Sequence, residues 1–184
     1  MPDLYIISGC NGAGKTTASL TVLPELLNCR EFVNADAIAT GLSPFQPDSV
    51  AFEAGRIMLQ RIQTLLISGV TFAIETTLTT KSYMNLVVDA QRKGYRVTLL
   101  FYWLNSPELA KSRVRQRVSE GGHSIPDDVI ERRYQRGIEN LLRIFAPICD
   151  HWYVYDNSML LPRLLAKGKV GSLEELKNLP FYNQ

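Results

Sequence analysis

Residues 9 to 17 read Gly-Cys-Asn-Gly-Ala-Gly-Lys-Thr-Thr and follow directly on the apolar run Leu4, Tyr5, Ile6 and Ile7. An apolar strand, a glycine-rich turn and a helix start in that order make a phosphate-binding loop. Backbone N–H groups converge on a polyphosphate, the lysine reaches its β and γ phosphates, and the hydroxyl after it binds Mg²⁺. Glycines suit the turn because a chain wrapped around an anion needs left-handed backbone and room for close approach. The candidate nucleotide site is therefore Gly9, Asn11, Gly12, Ala13, Gly14, Lys15, Thr16 and Thr17, with Thr16 a metal ligand.

Strand-length apolar runs recur at 4–8, 31–33, 70–74, 96–104 and 151–155, and helical periodicity fills the stretches between them. That alternation predicts an α/β fold with a parallel five-stranded sheet and helices on both faces. Helices are expected over 16–29, 47–68, 81–93, 106–118, 126–145 and 172–178. In the second, Val50, Ala54, Met58, Ile62 and Leu65 form the apolar stripe and Asp48 or Ser49 is the expected cap. Segment 119–126 contains Gly121 and Gly122 and interrupts the periodicity, so it is expected to be a hinged lid. With 184 residues the chain is expected to form one domain, 1–184.

Ligands of an open parallel sheet bind beyond the carboxyl ends of its strands. After the second run come Asn34 and Asp36, which share a face if the backbone stays extended. Asp36 is placed to take the proton of an acceptor hydroxyl or to hold Mg²⁺ through water, and the bland alternative is a helix N-cap. After the third run come Glu75, Thr76 and Thr77. There the acid is a candidate for the Mg²⁺ shell and the threonines for substrate contact, a solvated strand end being the alternative. Seven arginines fall between 113 and 143, at 113, 115, 117, 132, 133, 136 and 143. Two are expected to touch phosphate, with Arg113, Arg117 and Arg133 the candidates, and the acids Asp127, Asp128, Glu131 and Glu139 are there to pair with the rest. Asp156, Asn157 and Ser158, which end the last strand, are read either as a wall of the base site or as a plain turn.

These motifs, in order, resemble the zeta-toxin family of phosphate-loop kinases. The resemblance rests on the loop Gly9 to Thr17, on Val33 to Asp36, on Glu75 to Leu78, and on Arg117 to Pro126 followed by Arg132, Arg133 and Tyr134. It implies a three-layer α/β/α phosphate-loop NTPase fold of nucleoside-monophosphate-kinase type with a small lid. It also implies use of ATP with Mg²⁺ and phosphorylation of a small-molecule hydroxyl, such as that of UDP-N-acetylglucosamine in some members. Lys15 would then be the γ-phosphate clamp, Asp36 the catalytic base, Glu75 and Thr76 substrate contacts, and the arginines around 113 to 117 part of the lid. An antitoxin protein is the partner the resemblance implies. Where the family often carries an arginine before the lid proline, this chain has His123, which leaves Arg133 as the substitute.

Composition narrows the partners. Lysine and arginine number 20 against 18 acids, which argues against a nucleic-acid or acidic-membrane surface. Three cysteines, Cys10, Cys29 and Cys149, have neither metal-ligand nor redox spacing and fit a reducing, cytoplasmic setting. Neither a signal peptide nor a membrane span is expected. Two other functions compete with a small-molecule kinase: a nucleotide-dependent binding module with weak ATPase activity, and a polynucleotide 5′-hydroxyl kinase.

Overall fold

The computed structural model describes residues 1–122, 124–172 and 174–182. In chain order the elements are β1 (Asp3–Ser8), α1 (Lys15–Thr21), β2 (Phe32–Val33), α2 (Ala35–Leu42), α3 (Ala51–Ser68), β3 (Phe72–Thr76), α4 (Tyr83–Arg92) and β4 (Arg96–Trp103). There follow α5 (Pro107–Ser119), α6 (Asp127–Asn140), α7 (Ala146–Ile148), β5 (His151–Asp156), β6 (Arg163–Lys169) and α8 (Glu174–Lys177). The strands form one sheet in the order β2-β3-β1-β4-β5-β6, parallel throughout except for β6, which runs antiparallel to β5. This is the three-layer α/β phosphate-loop NTPase architecture, with β1 near the middle. Leu4, Ile6 and Ile7 are fully buried, and β4 is buried from Val97 to Trp103, as strands covered by helices on both faces must be.

Six strands stand where five were expected. The Arg163–Lys169 segment lacks the apolar alternation of a half-buried strand because it is an edge, exposed along most of its length. Gly168 is required there, since a Cβ would overlap the Trp152 ring on β5. Two further expectations were displaced, and one helix was added. The first helix is regular only to Thr21 and continues as a wide turn over Val22–Leu26 that contains Pro24. Neither Asp48 nor Ser49 caps α3, whose first turn is replaced by a tight turn over Pro47–Val50. Helix α2 was not among the expected helices and was foreshadowed only by the cap alternative at Asp36, because its eight residues are too short to show a period. The stripe on α3 is buried at Ala54, Met58, Ile62, Leu65 and Leu66, and Ser106 caps α5 ahead of Pro107 as the cap-then-proline rule requires.

Strand register assembles the site. Ile7 lies beside Glu75 and Ser8 beside Thr76, while Val33 lies beside Ile74. The residues that leave β1, β2 and β3 at their carboxyl ends are therefore neighbours, and they are the phosphate loop, Asn34 and Glu75.

Candidate functional site

The loop that follows β1 has the geometry an anion needs. Gly9, Gly12 and Gly14 have φ of 140°, 78° and 76°. A side chain at Gly9 would overlap the carbonyl of Tyr102, and one at Gly12 would come within 2.7 Å of the Ala110 carbonyl. Gly14 precedes α1 in the left-handed conformation, and no side chain caps that helix. The N–H groups of its first turn thus keep their hydrogen-bonding capacity for a phosphate, assisted by the helix dipole.

Lys15 is buried, and its Nζ donates to the Cys10 carbonyl at 3.0 Å and lies 3.6 Å from Glu75 Oε1. Glu75 Oε2 accepts from Thr16 Oγ1 at 2.8 Å and from Asn34 Nδ2 at 2.9 Å. One carboxylate therefore gathers an ammonium and a hydroxyl from the start of α1 and an amide from the end of β2. Such a nearly buried anion is tolerable only with these partners. Thr16 and Glu75 fit a Mg²⁺ shell completed by phosphate and water, since Mg²⁺ takes few protein oxygens. Among the described residues no cluster of three His, Cys, Asp or Glu offers an all-protein metal cage.

Asn34 is the cap of α2: its Oδ1 accepts from the N–H of Asp36 at 2.8 Å and of Ala37 at 3.2 Å. Extended backbone ends at Asn34, so Asp36 does not share a strand face with it. Asp36 instead stands exposed in the first helical turn, with the bland role of cap filled by its neighbour. It lines two adjoining spaces. One, of about 210 Å³, also contacts Asn11, Lys15, Glu75, Thr76, Thr77 and Arg133. The other is a larger cleft of about 750 Å³ bounded by Thr16, α2, the loop 44–49 and Arg117.

The arginines separate. Arg133 Nη1 donates to Asn11 Oδ1 at 3.1 Å, and Arg133 lines the smaller space together with Lys15. Arg117 lines the larger cleft with Gly121 and Gly122, and the N–H of Gly122 donates to its carbonyl at 2.9 Å. Arg113 turns the other way: its guanidinium donates to the carbonyls of Asn157 at 2.8 Å and Ser158 at 3.0 Å. Arg115 and Arg143 have the solvated ion-pair role, with Asp127 and Glu139, whereas Arg132 and Arg136 are exposed. Asn157 is both turn and wall. Its Nδ2 donates to the Ala13 carbonyl at 2.7 Å, and with Arg113, Thr17 and the 159–162 segment it lines an apolar groove of about 640 Å³ behind the phosphate loop. His123, expected in the lid, lies outside the described residues.

Sequence reading missed the support beneath Thr76 and Thr77. Leu78 is fully buried with φ of 60°, a conformation that costs a leucine about 1–2 kcal/mol. It is held by the Thr76 hydroxyl, which accepts from its N–H at 3.0 Å, and by Asn140 Nδ2, which donates to its carbonyl at 2.8 Å. A buried asparagine on an otherwise amphipathic helix was the available signal. Burial also pushes the Cys10 thiol up to about 11, although Lys15 and Arg113 pull it down.

Fold and site together define a nucleotide-binding phosphate-loop protein of kinase-like architecture. Residues 4–140 match the AAA_33 model, an AAA domain, and the chain belongs to that family. An uncharacterized protein of Haemophilus influenzae is 28% identical over 126 residues, spanning 68% of this chain and 88% of its own length. A chain from the PezAT chromosomal toxin–antitoxin system of Streptococcus pneumoniae superposes with a TM-score of 0.73 at 18% identity, covering 100% of this chain and 80% of that one. The AvrRxo1-ORF1:ORF2 complex with ATP gives 0.69 at 17% identity, covering 96% and 62%. The fold is thus that of the zeta-toxin-like phosphate-loop kinases, as the motifs implied.

Proposed function

We propose that this protein is an ATP-dependent phosphotransferase acting on a hydroxyl of a small molecule. The observation that carries this reading is that Asp36 opens onto a cleft beside Thr16 while bordering the space that contains Lys15, Glu75 and Arg133. A hydroxyl in the cleft and a terminal phosphate at the loop would therefore meet at one carboxylate. ATP, when bound, supplies the transferable γ-phosphoryl group.

The phosphate-loop amides and Lys15 hold the phosphates, and Thr16 with Glu75 would hold Mg²⁺. Asp36 accepts the hydroxyl proton. Arg133 and Arg117 add positive charge from α6 and α5, where charge develops during transfer. The apolar groove beside Arg113 and Asn157 suits a purine, and among the described residues no carboxylate lines it. Segment 119–126, between α5 and α6, is the lid that would exclude water from the reaction, within a single kinase domain over 1–184.

Some finer features belong to the same proposal. ATP bound in the AvrRxo1 complex supports ATP here, and the toxin–antitoxin origin of a structural neighbour supports an antitoxin partner. Three buried, unpaired cysteines support a cytoplasmic setting, and no described helix is long and apolar enough to cross a membrane. UDP-N-acetylglucosamine is the nucleotide sugar to test first. Labelled γ-phosphate transfer from ATP with Mg²⁺, to that compound and to a metabolite extract, is the experiment. A phosphorylated acceptor is expected; tight ATP binding with no acceptor labelled would replace the reading with a nucleotide switch.

A further inference from the structure

The larger cleft bears directly on what kind of acceptor enters it. Among the described residues, the ionisable groups lining it are Asp36 from α2, Asp48 from the turn before α3, and Arg117 from α5. The phosphate loop contributes only Thr16, and the donor-side charges of Lys15, Glu75 and Arg133 line the smaller space instead. Two carboxylates face one guanidinium. With Arg117 counted, one cation against two carboxylates, the described lining still carries a net negative charge. Among the described residues, a polyanion there would meet the like charges of Asp36 and Asp48 with Arg117 alone as counter-charge.

The rest of the lining has a different chemistry. Phe45 is 97% exposed and stands between Pro44 and Pro47 at the cleft wall. Single exposed apolar residues are common, but this one borders a cleft large enough for a ligand and sits on a segment whose φ angles are restricted by two prolines. Its ring offers a flat apolar face. Around it Thr40, Gln46 and Ser49 supply hydroxyl and amide groups, and the two carboxylates are strong acceptors for hydroxyl or ammonium donors.

Resting on the phosphotransferase reading, we infer that the acceptor is a neutral or cationic polyhydroxylated ring compound, of sugar or amino-sugar chemistry, whose apolar face lies on Phe45. A polyanionic acceptor such as a nucleotide sugar is the class this lining disfavours. The acceptor hydroxyl oxygen bonds to the γ-phosphorus, the bond from that phosphorus to the β-phosphate bridging oxygen breaks, the proton passes to Asp36, and ADP leaves.

The test uses the full chain with ATP and Mg²⁺ and a panel graded by charge: glucose, glucosamine, a hexose phosphate and UDP-N-acetylglucosamine, with phosphorylated product read by mass spectrometry. Neutral or cationic members are expected to exceed anionic ones in kcat/KM by about tenfold or more. Asp48→Lys is expected to lower kcat/KM for glucosamine and raise it for the hexose phosphate, and Asp48→Asn should shift the same ratio by less. Phe45→Ala is expected to raise acceptor KM more than it lowers kcat, with KM for ATP as the control reading. Highest kcat/KM on UDP-N-acetylglucosamine, or a ratio that ignores both Asp48 variants, would overturn the inference and leave the phosphotransferase standing. Absence of transfer to every member and to a metabolite extract, with ATP bound, would remove both.

Discussion

The donor side and the acceptor side of this site are built by opposite rules. On the donor side, Lys15 at the start of α1, Glu75 near the end of β3 and Asn34 just past β2 are buried or nearly so and are joined through one carboxylate. On the acceptor side, Asp36, Phe45 and Asp48 are exposed, on a short helix and the loop that follows it. Sheet register places Glu75, and its hydrogen bonds and ion pair tie the first set together. The second set hangs on a segment that tolerates change, which is how one fold serves many acceptors.

Breaking the donor side should have the largest effect. Lys15→Ala is expected to cut phosphoryl transfer about 10³-fold or more, given what positioned cations contribute to this chemistry, and to weaken ATP binding. Transfer within tenfold of the unaltered protein would show that the loop lysine is not the clamp. Arg133→Ala should cost about 10²-fold in kcat, whereas Arg115→Ala, which removes only the exposed pair with Asp127, should leave kcat unchanged within twofold. Equal losses in the two would erase the distinction drawn between these arginines.

The support beneath the donor side gives a smaller effect, of stability. Asn140→Ala leaves the buried Leu78 carbonyl without its partner and is expected to lower unfolding free energy by about 1–3 kcal/mol, read as a fall in Tm. An unchanged Tm would mean that the left-handed Leu78 turn needs no anchor.

The phosphate loop was legible in the sequence because its glycines, lysine and threonine are local, adjoining residues whose backbone needs are their own. The strand-end acids were legible for a related reason, as abrupt polarity after apolar runs. The pairing of Arg113 with the 157–158 carbonyls was not, since it joins positions more than 40 residues apart. Nor was α2, whose eight residues owe their helix to the Asn34 cap and to packing on α3 rather than to a periodic stripe. Edge strand β6 was hidden for the reason that makes it an edge: one buried residue, Ala166, is no pattern.

Least of the expected effects is chemical. Cys10 lies inside the loop, yet its thiol, ordinarily near 9.0, is pushed up to about 11 chiefly by burial. It should therefore stay protonated and resist alkylation at neutral pH in the folded protein. Because the folded pKa is the higher one, its contribution to stability is complete below pH 9 and is lost as the pH rises through about 11. Rapid modification of Cys10 at pH 7 without unfolding would show that the loop exposes a thiol found buried.

The proposed role of Asp36 is to link the donor side to the open acceptor side as the proton acceptor. Its most direct test is Asp36→Asn, measured for γ-phosphate transfer and for ATP affinity side by side. Transfer reduced about 10²- to 10⁴-fold with ATP affinity retained is the predicted result; transfer undiminished in that variant would contradict it.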